Sequence, residues 1–191
     1  SNYYTLSDPE YFRVRKSNLP VADVRIEFTE AFYNDPLTLT EHYVLPFRMT
    51  ENSLGTLREG AETTVAVIKY ISTYAGTYYR MGKVTEVDAS GVAQAESVSY
   101  GNTHDIIKCN TTTFSSLAPR IVVCPGVGNE SDKVGSMTLT MDADKNVTIT
   151  GVNGKAVISN ASGSYKTEGD YEYVANFGTR APQFDLEYTY E

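Results

Sequence analysis

The sequence predicts an all-β chain made of two sheet units. Three observations carry that reading. Apolar and polar residues alternate along short runs such as DVRIEF (23–28) and QFDLEYTYE (183–191), the period of a half-buried strand. After residue 75 about eight short strands are separated by turn signals roughly every 8 to 12 residues, as in a sandwich or an up-and-down barrel. No amphipathic helix of three turns is present in the sequence.

In chain order, Val24, Ile26 and Phe28 share one strand face, with Arg25 and Glu27 on the other. TEAFYNDPLTL holds a single helical turn stopped by Asn34-Asp35-Pro36, a strong turn signal. In EHYVLPFRMT, Tyr43, Leu45, Phe47 and Met49 point one way, and Pro46 places the strand at an edge or a bulge. Residues 51–63 read as a polar connector. The stretch TVAVIKYISTYAGTYYRMGKV (64–84) organises the whole chain: a strand-like run from Val65 to Ile71, a break at Tyr74-Ala75-Gly76, and a new strand from Thr77. It divides the chain into units 1–73 and 74–191.

Beyond it, QAESVSY ends at a Gly101-Asn102 turn, DIIKCNTTTF at a Ser115-Ser116 break, and RIVVC at Pro125-Gly126. SMTLTM and NVTIT flank Asp142–Lys145 as a hairpin, and Asn153-Gly154 is a two-residue hairpin signal. In the closing strand Phe184, Leu186, Tyr188 and Tyr190 alternate with Asp185, Glu187 and Thr189. Burying four large side chains from one face contributes roughly 1.5–3 kcal/mol each. Losing that strand would cost about the net stability of a small domain.

Charge narrows the classes of function. Sixteen basic and 24 acidic residues give a net charge of −8, which argues against nucleic acid, since phosphate binding needs clustered Lys and Arg. No basic block suits an anionic membrane surface, and no apolar run approaches the ~20 residues of a membrane span. The opening SNYYTLSDPE lacks the pattern of a signal peptide and reads as the interior of a domain, so further residues are expected upstream. Cys109 and Cys124 are too few for a disulfide scaffold. They read as buried strand residues, and a cross-strand bridge in an oxidising compartment depends on geometry.

Motifs for chemistry are sparse, and no cofactor or metal is expected. Met141–Asn146 begins like a calcium loop but lacks the required Gly and Glu, so it reads as a hairpin turn. Gly126-Val127-Gly128 has neither the third glycine nor the helix of a dinucleotide fingerprint and reads as a flexible loop. His42 and His104 sit in different units, without a nucleophile motif or zinc spacing. Asp185 and Glu187 read as charges that keep an edge strand soluble.

What remains is aromatic and cationic. Tyr74, Tyr78, Tyr79 and Arg80 cluster in the central stretch, and Tyr171, Tyr173, Phe177 and Arg180 precede the closing strand. The plainer reading is packing, because alternating tyrosines are common on strands. The functional reading is a stacking platform for a sugar or peptide, with phenols and guanidinium groups as polar contacts. The expected ligand-binding residues are Tyr74, Tyr78, Tyr79, Arg80, Tyr173, Phe177 and Arg180.

FTEAFYNDPLTLTEHYVLPFRMT resembles the end of the N-terminal immunoglobulin-like domain in a group of exported Bacteroidetes lipoproteins of unknown function. VAVIKYISTYAGTYYRMGK resembles the join to their C-terminal lipocalin-like domain, and NFGTRAPQFDLEYTYE that domain's last strand. The resemblance implies a partial immunoglobulin-like sandwich (1–73) followed by a lipocalin-like antiparallel β-barrel (74–191). It also implies export with a lipid anchor outside this chain, a place at the outer-membrane surface or in the periplasm, and association with glycan capture or adhesion. It supplies no catalytic residues. The expected function is a non-catalytic surface module that binds a glycan or another envelope component. The alternatives are a structural spacer or protein-interaction domain, and a carrier of a small apolar ligand in the barrel.

Overall fold

The structure, a computed structural model, describes residues 2–14, 22–53, 55–102, 105–129, 135–152, 157–170, 172–173 and 179–191. The chain is all-β, with two compact units, Ser1–Ile71 and Ser72–Glu191. The expected Asn153-Gly154 turn lies outside the described residues.

In the first unit, β1 (Tyr4–Leu6) pairs antiparallel with β2 (Ile26–Phe28). A single helical turn follows, α1 (Glu30–Tyr33), then a 3-10 turn at Pro36–Leu39. Asp35 starts the second turn by accepting the Leu37 N–H at 2.9 Å, the bond expected of an N-cap carboxylate. β3 (Tyr43–Arg48) pairs with β4 (Thr63–Ile68), Pro46 opposite Val65. Among the described residues that pair has no third strand, so the N–H that proline lacks is not needed by a further neighbour.

Aromatic rings fill this unit's interior. Phe32 is almost fully buried, stacked on Phe28 at 4.3 Å. Tyr3 meets Tyr43 edge-on at 5.3 Å. Both phenols donate to Asp35 Oδ2, Tyr3 at 2.8 Å. The Tyr43 bond, the Leu37 N–H and the Tyr3 bond, in that order, hold the Asp35 carboxyl below the ordinary carboxylate range.

In the second unit, β5 (Gly76–Tyr79) leads into a side pair, β6 (Gly82–Val84) with β7 (Val98–Tyr100). The main sheet continues through β8 (Thr111–Ala118), β9 (Ile121–Pro125), β10 (Ser136–Met141) and β11 (Val147–Val152), in the order β11-β10-β9-β8-β5. β12 (Ile158–Lys166) joins β11 antiparallel through the Asn146–Ser164 bridge and the Tyr165 N–H to Lys145 C=O bond at 2.9 Å. A short pair, β13 (Glu172–Tyr173) with β14 (Thr179–Arg180), precedes β15 (Gln183–Tyr190), which pairs with β12.

Seven strands thus curl round one core in the order β5-β8-β9-β10-β11-β12-β15. Phe114, Val122, Met137, Leu139, Met141, Val147 and Ile149 form its centre, and Phe184, Leu186, Tyr188 and Tyr190 pack against it from the closing strand. The alternation read in the sequence sorts these side chains inward.

Two expectations are corrected. No sheet closes into a barrel among the described residues: β5 and β15, the two end strands, are not hydrogen-bonded neighbours. The break at Ser115-Ser116 is absent: β8 continues to Ala118 with a register shift after Ser116, where the Ser116 hydroxyl accepts the Ser72 N–H at 2.9 Å. Cys109 and Cys124 are buried, as expected, and their thiols are free, with Cys124 on β9 and Cys109 just ahead of β8 rather than on a strand.

The Asp35 cluster predicts a pH dependence for the first unit. A carboxyl held below its unfolded value stabilises the fold fully above the ordinary carboxylate pKa, and that contribution disappears as pH falls through the lower folded value. Acid titration of near-UV dichroism should show the loss in wild type below about pH 4. In Asp35→Asn the unit should be less stable at neutral pH and its acid-induced loss flatter.

Candidate binding cleft

A cleft of about 990 Å³ opens between β5 and β15, at the upper end of the size of small-ligand pockets. Its lining is unusual in being continuous. Ala75 to Lys83 on one side and Ala181 to Leu186 on the other all border it, without gaps. Side chains alternate across a strand, so a cleft touching only one sheet face would meet every second residue. Contact with every residue means that strand edges form the walls.

The floor is aromatic. Tyr78 lies 4.6 Å from Phe114 and 5.4 Å from Phe184 between ring centres, and Phe184 lies 4.9 Å from Tyr165. Burial, with the Tyr165 phenol as a smaller cause, pushes the Tyr78 phenol up to about 12. Its hydroxyl donates to the Tyr74 carbonyl at 2.9 Å.

The polar end is built round Arg80 and Gly128. The Arg80 guanidinium Nη2 donates to the Gly128 carbonyl, and the Gly128 N–H donates to Tyr188 Oη at 2.7 Å. Burial raises the pKa of both Tyr188 and Tyr100, while the nearby guanidinium pulls the other way. Burial also pushes the Cys124 thiol up to about 11. At neutral pH these three groups therefore keep their protons and serve as neutral polar contacts rather than as anions or nucleophiles. Gly126 and Val127 are buried, and Gly128, at φ 51°, borders the cleft.

At the opposite end, Asp170 and Asp185 lie 2.7 and 2.9 Å from Lys166. The Lys166 hydrogen bond is the main cause that holds the Asp170 carboxyl below its ordinary value. The cleft is thus polarised, with Arg80 and Lys83 towards one end and two carboxylates sharing one lysine at the other.

Of the residues expected from sequence, Tyr78, Tyr79 and Arg80 come together in the cleft. Tyr74 packs edge-on against Tyr165 at 4.9 Å and belongs to the core margin. Arg180 is exposed on β14 and does not border the cleft. Tyr173 lies on β13, its side chain outside the description, and Tyr171, Phe177 and His104 lie outside the described residues. Sequence reasoning missed Tyr100, Tyr188 and Gly128. The strict alternation of the closing strand already placed Tyr188 inward, whereas the paired glycines at 126 and 128 read from sequence as a flexible loop.

Replacing Gly128 tests the wall. A Cβ there would lie 2.7 Å from Tyr190 Oη, on a backbone with positive φ. Gly128→Ala should destabilise the second unit by roughly 1–2 kcal/mol from backbone strain alone, read as a lowered urea midpoint. The Cys124 thiol should resist alkylation at pH 8 until the unit unfolds.

No family model matches the chain, and no curated protein matches it. Its fold is shared with the crystal structure, at 2.40 Å, of a structural-genomics protein of unknown function from Bacteroides ovatus. The TM-score is 0.72 at 17% sequence identity, over 100% of this chain and 65% of that one. The chain therefore spans about two thirds of that protein's length, and the likeness is one of fold.

Proposed function

We propose that this chain is a non-catalytic binding module of the bacterial cell envelope, and that the β5–β15 cleft takes its ligand, a glycan or another envelope component. The observation that carries the reading is the cleft itself: about 990 Å³, aromatic below, with Arg80, Tyr100 and Tyr188 at one end. Rings offer flat apolar contact while phenols and a guanidinium fix orientation. Placement in the envelope rests on the resemblance to exported Bacteroidetes lipoproteins, and the fold shared with the Bacteroides ovatus protein is in keeping with it. In this reading residues 1–73 are part of an immunoglobulin-like domain and 74–191 a lipocalin-like one.

The interior favours a cleft ligand over a small apolar cargo. Val122, Val127, Leu139 and Met141 have at most 2% of their surface exposed and occupy the space that such a cargo would need. Calorimetric titration against a panel of host and plant polysaccharides tests the glycan form. Binding should weaken about tenfold or more in Arg80→Ala, the scale of one charge-assisted hydrogen bond. Silence of the folded protein across the whole panel would remove the glycan form of the reading.

A further inference from the structure

We infer that the cleft is a vacant strand position, and that its ligand is an extended segment of another polypeptide, added between β5 and β15. The inference rests on the cleft being the binding site and names the class of envelope component it takes. Direction supplies the first argument. Each neighbouring pair in the seven-strand order is antiparallel, so six reversals leave β5 and β15 parallel. A single strand antiparallel to both would make the count even, as an antiparallel barrel closed without a parallel pair requires.

Backbone parity supplies the second. On β15, Glu191 exchanges both backbone bonds with Val157. In an antiparallel ladder alternate residues bond to the same neighbour. Asp185 and Glu187 therefore face β12, while Phe184 and Leu186 turn their N–H and C=O groups towards the cleft. On β5, the Arg80 N–H bonds to Asn110 C=O, so Tyr78 and Gly76 face β8, while Thr77 and Tyr79 turn the other way, towards the cleft. No hydrogen bond to another described residue takes the backbone groups of Thr77, Phe184 or Leu186 on that side.

No hydrogen-bonded pairing joins the two edges among the described residues. The cleft-directed residues of β15 carry core-facing side chains, whereas Thr77 on β5 carries an outward one that bonds to Thr113. Directly opposed residues of an antiparallel pair share a face. An inserted strand satisfies both edges at once: its inward residues bond β15 and its outward residues bond β5. Its side chains would alternate, apolar over Phe114 and Met137 and polar outside. Because it runs against β5, its N-terminal end lies beside Arg80 and Lys83, and an acidic residue there complements them.

The probe is an acetylated synthetic octapeptide alternating Val and Thr after an N-terminal Glu. Versions with alternate amides N-methylated, or with the Glu moved to the C-terminal end, serve as comparisons. The account predicts saturable binding, reduced about tenfold or more by N-methylation, since one or two net backbone bonds are lost. Moving the Glu should also weaken binding, and that preference should vanish in Lys83→Glu, a variant at an exposed position. Equal affinity for the N-methylated peptide would overturn the inference. So would indifference to the peptide by folded protein that binds a polysaccharide in the cleft, which would leave the cleft a glycan site. Failure of both ligands would remove the binding reading of the cleft as well.

Discussion

Hydrogen-bond alternation along antiparallel strands governs the second unit more than any single contact. Each strand can serve two neighbours only because its backbone groups point left and right in turn, and the same alternation sends side chains in and out. Six such pairings fix every register from β5 to β15. The same rule sets which backbone groups the two unpaired end strands present to the gap. The final strand presents backbone from inward residues, the first strand from outward ones, and both run the same way.

Packing makes that opening durable rather than a place of collapse. Leu139, Val122, Met141 and Val127 are sealed inside, and the rings of Tyr78, Phe114 and Phe184 form the floor of the gap, with Tyr165 packed against Phe184 behind it. Gly128 ties the polar end together by linking Arg80 to Tyr188 through its two backbone groups. A charge and several neutral phenols held in such partly buried surroundings interact more strongly than they would in water. The result is a preformed surface with a charge direction along it, suited to holding a ligand in one orientation.

Much of the architecture was legible in the sequence because it depends on local alternation. The closing strand, the Asp142–Lys145 hairpin and the helical turn ended at Asn34-Asp35-Pro36 all follow from period and turn chemistry. Asp142 Oδ1 accepts the N–H groups of Asp144 and Asn146, as a polar hairpin turn requires. The candidate site was half legible. Tyr78 and Arg80 stand on one short run, but Tyr100 and Tyr188 reach them from residues far along the chain, and only tertiary pairing brings them close. The open edge could not be read at all. It depends on the number of strands and the parity of each ladder, which are properties of the whole sheet. Glycine was informative in both directions: its pattern at 126–128 suggested looseness, while its actual use is to let two backbone groups approach Arg80 and Tyr188.

Residue-resolved amide hydrogen exchange along β15 tests the open edge most directly. The account predicts alternation in the free protein, with Asp185 and Glu187 protected by β12 and Phe184 and Leu186 exchanging much faster. Uniform protection of all four amides would show that the edge is already paired and would contradict the central claim.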